Sequence, residues 1–99
     1  MGYLRGKLNV KCRTKEEEYI YRKIATKEGF TWSCGDNLLE KSKGASAPCS
    51  FQIGYFDNEN CVTYSNNIDY EMPADFTTVE ASVLFHNELV SRRIKDGRT

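Results

Sequence analysis

The chain has 99 residues, with 14 Lys/Arg balanced by 14 Asp/Glu, so its formal net charge is zero. That length suits one domain, residues 1–99, with a core of ordinary size. A neutral balance argues against bulk electrostatic capture of nucleic acid, and no stretch reaches the roughly eighteen apolar residues of a membrane span. The N-terminus "MGYLRGKLNVKC" has no apolar run of signal-peptide length. A soluble protein of the cytoplasm is therefore expected, with its cysteines kept reduced.

The charges are unevenly spread. Residues 1–35 carry eight Lys/Arg against four Asp/Glu, residues 36–80 two against eight, and residues 81–99 four against two. An acidic, aromatic-containing middle between basic ends suits a basic protein partner, and direct nucleic-acid binding would need a basic footprint that this middle lacks. The alternative is a dispersed, solvated surface.

In chain order, "KLNVKC" (7–12) alternates, with Leu8, Val10 and Cys12 on one face, which predicts a strand. Thr14 and Glu17 form a capping box and Gly29 a stop, so a helix is predicted over about 15–28, with Tyr19 or Ile20, Ile24, Lys27 and Phe30 along its packed face. "FTWSC" (30–34) predicts a second strand, expected parallel to the first and beside it because a helix joins them. A Gly/Ser/Lys-rich loop follows, with a short helical turn at Asn37 to Lys41 and an exit set by Pro48. "CSFQIGYF" alternates Cys49, Phe51, Ile53 and Tyr55, and the turn residues "DNEN" send "CVTYS" back as the other arm of a hairpin.

Two readings compete for "FTTVEAS". Thr77 and Glu80 form a second capping box, whereas the β-branched run Thr77, Thr78, Val79 favours a short edge strand followed by a helix from 83 to about 95, capped by Ser82. The strand is preferred because Thr77, Val79 and Ala81 alternate with Thr78 and Glu80. The helix then shows Phe85, Leu89, Val90 and Ile94 as its stripe. The fold class is thus α+β, an α/β sandwich with a small mixed sheet of about five strands and two helices in the order β-α-β-β-β-β-α.

Four cysteines, Cys12, Cys34, Cys49 and Cys61, have no C-x-x-C pair, so spacing alone is a weak zinc signal. Strand parity predicts convergence of Cys12, Cys34 and Cys49 at one sheet edge. Cys61 joins them only if the long loop reverses the strand direction, and Asp36 or His86 could complete tetrahedral coordination of a structural Zn2+. Packed buried thiols are the competing reading, with redox or nucleophilic roles behind both. His86, the sole histidine, lies on the final helix, and no carboxylates pair for acid/base work, so the chain reads as a binder rather than an enzyme. The richest candidate interaction surface interleaves Tyr55, Phe56, Tyr64 and Tyr70 with Asp57, Glu59, Asp69 and Glu71. A plain cross-strand Tyr55–Tyr64 pair is its alternative.

The segments "LNVKCRTKEEEYIYRKIATKEGFTWSCGD", "CSFQIGYF", "CVTYS" and "FTTVEASVLF" resemble short accessory proteins of phages and prophages of Gram-positive bacteria. The chain looks most like a small type II anti-CRISPR protein. That resemblance covers about residues 7–86 and implies a non-enzymatic inhibitor that binds the RNA-guided effector nuclease of the host and hinders loading or cleavage of target DNA. It also implies a structural zinc, which some members carry. The neutral charge departs from strongly acidic DNA mimics and favours a local contact patch. A nucleotide-signal sponge and an interaction module with another target are the alternatives, and the protein is expected as a monomer or small homo-oligomer.

Overall fold

The computed structural model describes residues 3–32, 34–40, 44–54 and 61–96, with side chains through residue 91. The elements are β1 (Leu8–Cys12), α1 (Lys15–Lys27), β2 (Thr31–Trp32), β3 (Cys49–Ile53), β4 (Cys61–Ser65), β5 (Thr77–Glu80), α2 (Ala81–Leu84) and α3 (His86–Asp96). The fold is a small α+β structure with a five-stranded mixed sheet and three helices.

Local chemistry sets the limits of α1. The Thr14 hydroxyl accepts the Glu17 N–H at 3.1 Å, while the Glu17 carboxylate reaches back to the Arg13 N–H at 2.8 Å, one residue earlier than a reciprocal capping box. At the other end, Phe30 N–H bonds Ala25 O and Gly29 N–H bonds Thr26 O. This paired closure needs a left-handed residue, which Gly29 supplies at φ 92°.

The strand order is β2-β4-β3-β1-β5. β1 and β2 point the same way, but two strands separate them, which corrects the expected neighbouring pair. Helix α1 carries the chain beyond the site that β3 and β4 occupy, because β3 takes the inner edge of β1 as an antiparallel partner. β2 shrinks to two residues at the sheet margin, alongside β4. β5 is the parallel edge strand beside β1, as its β-branched run predicts.

The second helical region also differs. It begins at Ala81 without a side-chain cap and breaks at Phe85, giving α2 and α3 in place of one helix capped by Ser82. Ala81, Phe85 and Leu89 are buried at four-residue spacing, so core contact, rather than the Ser82 hydroxyl, sets the start.

Helices α1 and α2 cover one face of the sheet. Leu8, Val10, Cys12, Cys49, Phe51, Ile53, Trp32 and Val62 form this core with Ile20, Tyr21, Ala25 and Phe85. The opposite face is polar yet closed over its centre: Asn9, Ser50 and Gln52 are buried. The 66–76 connection must run from the end of β4 past β3 and β1 to reach β5. It does so on this polar side, where Tyr70 and Met72 meet Gln52, Thr63 and Ser65.

Burial of those polar groups is supported by a row of hydrogen bonds across four strands. Asn9 donates to the Thr78 hydroxyl at 3.3 Å and accepts from Gln52 Nε2 at 2.9 Å. Gln52 Nε2 also donates to Ser50 Oγ at 3.0 Å, and its Oε1 accepts from the Thr63 hydroxyl at 3.0 Å. The three pairs in this row stand opposite one another in strand register, so each reaches its neighbour without distortion.

Candidate interaction surface

The acidic and aromatic surface is built on the turn that follows β4. Ser65 Oγ accepts the Asn67 N–H at 3.1 Å, and Asn67 then accepts the Asp69 N–H through its side chain and the Tyr70 N–H through its carbonyl. Asparagine in this position organises the backbone locally, which is why "SNNIDY" forms a turn after the strand. Asp69, Tyr70 and Glu71 are all left exposed, with Tyr70 49% accessible.

Tyr70, Met72 and Tyr64 line a cleft of about 240 Å³ with Gln52, Thr63 and Ser65. The Tyr64 ring itself lies on the helix-facing side, packed edge-on against Trp32 at 5.8 Å. Its directly opposite partner is Phe51, so the described residues give Tyr64 an aromatic cross-strand neighbour other than Tyr55. Tyr55, Asp57 and Glu59 lie outside the described residues, as does Phe56.

Neighbouring cations tune the charge around this turn. Arg13 holds Glu80 through two hydrogen bonds of 2.8 Å, and that contact keeps the Glu80 carboxyl below its usual range. Lys7 does the same for Asp75 at 2.7 Å. Among the described residues neither Asp69 nor Glu71 is in an ion pair, so these two carboxylates give the turn its acidic character.

The cysteines divide into a pair and two separate residues. Cys12 and Cys49 stand directly opposite in the β1–β3 ladder, both fully buried on the helix-facing side. Burial raises the Cys12 thiol well above its usual 9.0, with Cys49 the next contributor. Burial also pushes Cys49 up to about 12, helped by Glu18 and opposed by Arg22.

Cys34 sits exposed in the turn after β2, where Gly35 N–H bonds Trp32 O and Trp32 N–H bonds Asp36 O. β2 lies three strand spacings from β1, about 14 Å, so it does not bring Cys34 to Cys12. Cys61 begins β4 beside Thr31, on the polar face and at the other end of the sheet. His86 is exposed at the start of α3. The donors proposed for a tetrahedral zinc are therefore not assembled, and no group of three or more His, Cys, Asp or Glu among the described residues is placed to hold a metal ion.

Two buried or nearly buried charges on α1 hold the long loop between β2 and β3. The Glu18 carboxylate accepts the Ala47 N–H at 3.0 Å and pairs with Arg22 at 3.4 Å. Arg22 in turn donates to Leu38 O at 2.7 Å and Leu39 O at 3.2 Å. Sequence reasoning singled out neither Glu18 nor Arg22. Their i,i+4 spacing was the available signal, although such a pair is more often solvent-exposed.

Gln52 and Met72 were missed as parts of the cleft, as was the burial of Asn9 beside Gln52. Strand alternation assigns Asn9 and Gln52 to the wet face, and the 66–76 connection brings Tyr70 and Met72 beside Gln52 there. Among the described residues no helix is long and apolar enough to cross a membrane. No family model, curated protein or solved structure matches the chain.

Proposed function

We propose that this protein is a non-enzymatic binding module whose contact surface is the Asn67-organised turn carrying Asp69, Tyr70 and Glu71. The observation that carries the reading is the exposure of one aromatic ring between two carboxylates that have no ion-pair partner among the described residues. A tyrosine presents a large, rigid contact area with few rotamers to freeze, and flanking carboxylates select a basic partner. The cleft beside it offers a recess for one side chain of that partner.

The resemblance to type II anti-CRISPR proteins supplies the candidate partner, the RNA-guided effector nuclease, whose nucleic-acid channel would provide the basic surface. Binding there would obstruct target DNA by occupying a local patch, in keeping with a neutral chain. The test is gel filtration of the purified protein with the nuclease, paired with a DNA-cleavage assay. The expected result is co-elution and reduced cleavage, both lost on Asp69→Lys with Tyr70→Ala. Separate elution at micromolar concentrations with undiminished cleavage overturns the nuclease assignment. The nucleotide-sponge alternative is the weaker reading, because the described lining of the cleft carries no Lys or Arg to meet a phosphate.

A further inference from the structure

Cys12 is the last residue of β1 and Cys49 the first of β3, and the two form the terminal rung of an antiparallel ladder. Residues directly opposite on antiparallel strands have Cα atoms about 4.5–5.5 Å apart, within the roughly 4.4–6.8 Å that a disulfide spans. Both side chains point to the helix-facing side, and both thiols are free. Neither of the other cysteines has a cysteine opposite it: Cys61 faces Thr31, and Cys34 lies in an exposed turn.

The 44–48 segment leads into β3, and its Ser46 backbone lies within hydrogen-bond reach of the Cys49 thiol. Outside the ladder, side-chain to backbone bonds hold this strap: Ala47 N–H to Glu18, Ser46 N–H to Asn66 Oδ1 at 3.2 Å, and Asn66 Nδ2 to Gly44 O at 3.0 Å. Gly44, Ser46 and Pro48 are exposed while Ala45 is buried in the core, so opening the strap withdraws one small side chain and leaves the strand ladder in place.

We infer that Cys12 and Cys49 are a thiol–disulfide couple, closing into an intrachain disulfide that staples β1 to β3 when the protein meets a low-molecular-weight disulfide. With the strap open, Cys49 gives its proton to solvent and its sulfur attacks one sulfur of the oxidant, whose S–S bond breaks and releases one thiolate. Cys12 loses its proton in turn and attacks Cys49 Sγ, expelling the second thiolate. Two protein thiols are thereby oxidised as one small disulfide is reduced to two thiols. The staple joins residues far apart in sequence, where the loss of unfolded-state freedom is large.

The test uses Cys34→Ser, which removes the exposed thiol and leaves three cysteines. This variant is incubated with oxidised glutathione, then analysed by thiol titration in denaturant, peptide mass mapping and melting. The expected result is loss of two thiols, a Cys12–Cys49 linked peptide and a melting temperature higher by on the order of 10 °C, all reversed by dithiothreitol. Free Cys12 and Cys49 after prolonged incubation, a stable glutathione adduct on Cys49, or a link to Cys61 overturns the proposal. Adding Asn66→Ala should speed formation of the same product severalfold by loosening the strap, and an unchanged rate overturns the entry route. Because mapping is done on a chain that retains both cysteines, the result does not depend on whether a Cys12 or Cys49 variant folds.

Discussion

The ring of Tyr21 lies nearly parallel to that of Phe51, with centroids 4.5 Å apart and an 11° angle between planes. This stack joins α1 to the centre of the sheet, and Phe85 meets the other side of Tyr21 edge-on at 6.1 Å. Among the described residues the fully buried Tyr21 hydroxyl has no hydrogen-bond partner. Tyr21→Phe keeps the stack and removes the unsatisfied group, so chemical denaturation should show stability raised by about 1 kcal/mol. Tyr21→Ala should instead lower it by about 3–5 kcal/mol, since it opens a cavity between α1 and the sheet.

Gln52 occupies the middle of the polar row and satisfies Asn9, Ser50 and Thr63 at once. Gln52→Ala should therefore destabilise the protein by about 3 kcal/mol, more than deletion of its own contacts implies, because it strands buried partners. Thr63→Val, at a less buried position with one bond to lose, should cost about 1 kcal/mol in the same denaturant titration.

Glu18 anchors the strap before β3 as well as Arg22. Glu18→Ala should cost about 2–4 kcal/mol, because Ala47 loses its acceptor and Arg22 its carboxylate. Glu18→Gln retains an acceptor for Ala47 and should lose less. Hydrogen exchange at Ala47 provides the local readout, with faster exchange expected in the alanine variant than in the glutamine variant.

Alkaline pH should weaken the fold through its two buried thiols. The folded-state values of Cys12 and Cys49 are raised above the 9.0 of a free thiol, so the unfolded chain loses these protons first. The associated stability is complete below about pH 9 and falls as pH rises toward 12, by about 1.4 kcal/mol per pH unit for each thiol. In reduced protein, Cys12→Ala with Cys49→Ala should flatten this slope, as measured by denaturant midpoints across the range. At the acid end the sign is reversed: Glu80 and Asp75 are held below their usual 4.5 and 3.8, so their contribution is present above those values and is lost as pH falls through the lower folded-state values.

At the proposed contact surface, Tyr70→Ala should weaken partner binding by about 2 kcal/mol, some thirtyfold, while leaving the melting temperature nearly unchanged because the ring is half exposed. Calorimetric titration measures the first and thermal melting the second. A large drop in melting temperature would show instead that Tyr70 acts as a lid on the cleft.

Much of the fold was legible because it rests on neighbours in sequence. Thr14 and Gly29 mark the limits of α1, alternation marks β1 and β3, and the β-branched Thr77–Val79 run marks the edge strand. The position of β2 was not legible, since a helix joining two parallel strands does not specify how many other strands come between them. The break at Phe85 was equally hidden, because it follows from which residues meet the core. Of the candidate surface, Asp69, Tyr70 and Glu71 were visible as an acidic, aromatic turn. Their neighbours Gln52 and Met72 became apparent only when the path of the connection was known.

The cysteines mark the boundary between the two kinds of information. From sequence alone, parity and position at strand ends placed three of them together on one face and at one edge, Cys34 beside Cys12 and Cys49, because side chains alternate along any extended strand. Tertiary structure decided that Cys12 and Cys49 form a rung while Cys34 and Cys61 lie elsewhere, because strand order and register arise from competition among all five strands for partners. Local periodicity states which way a side chain points, and only the assembled sheet determines what it meets.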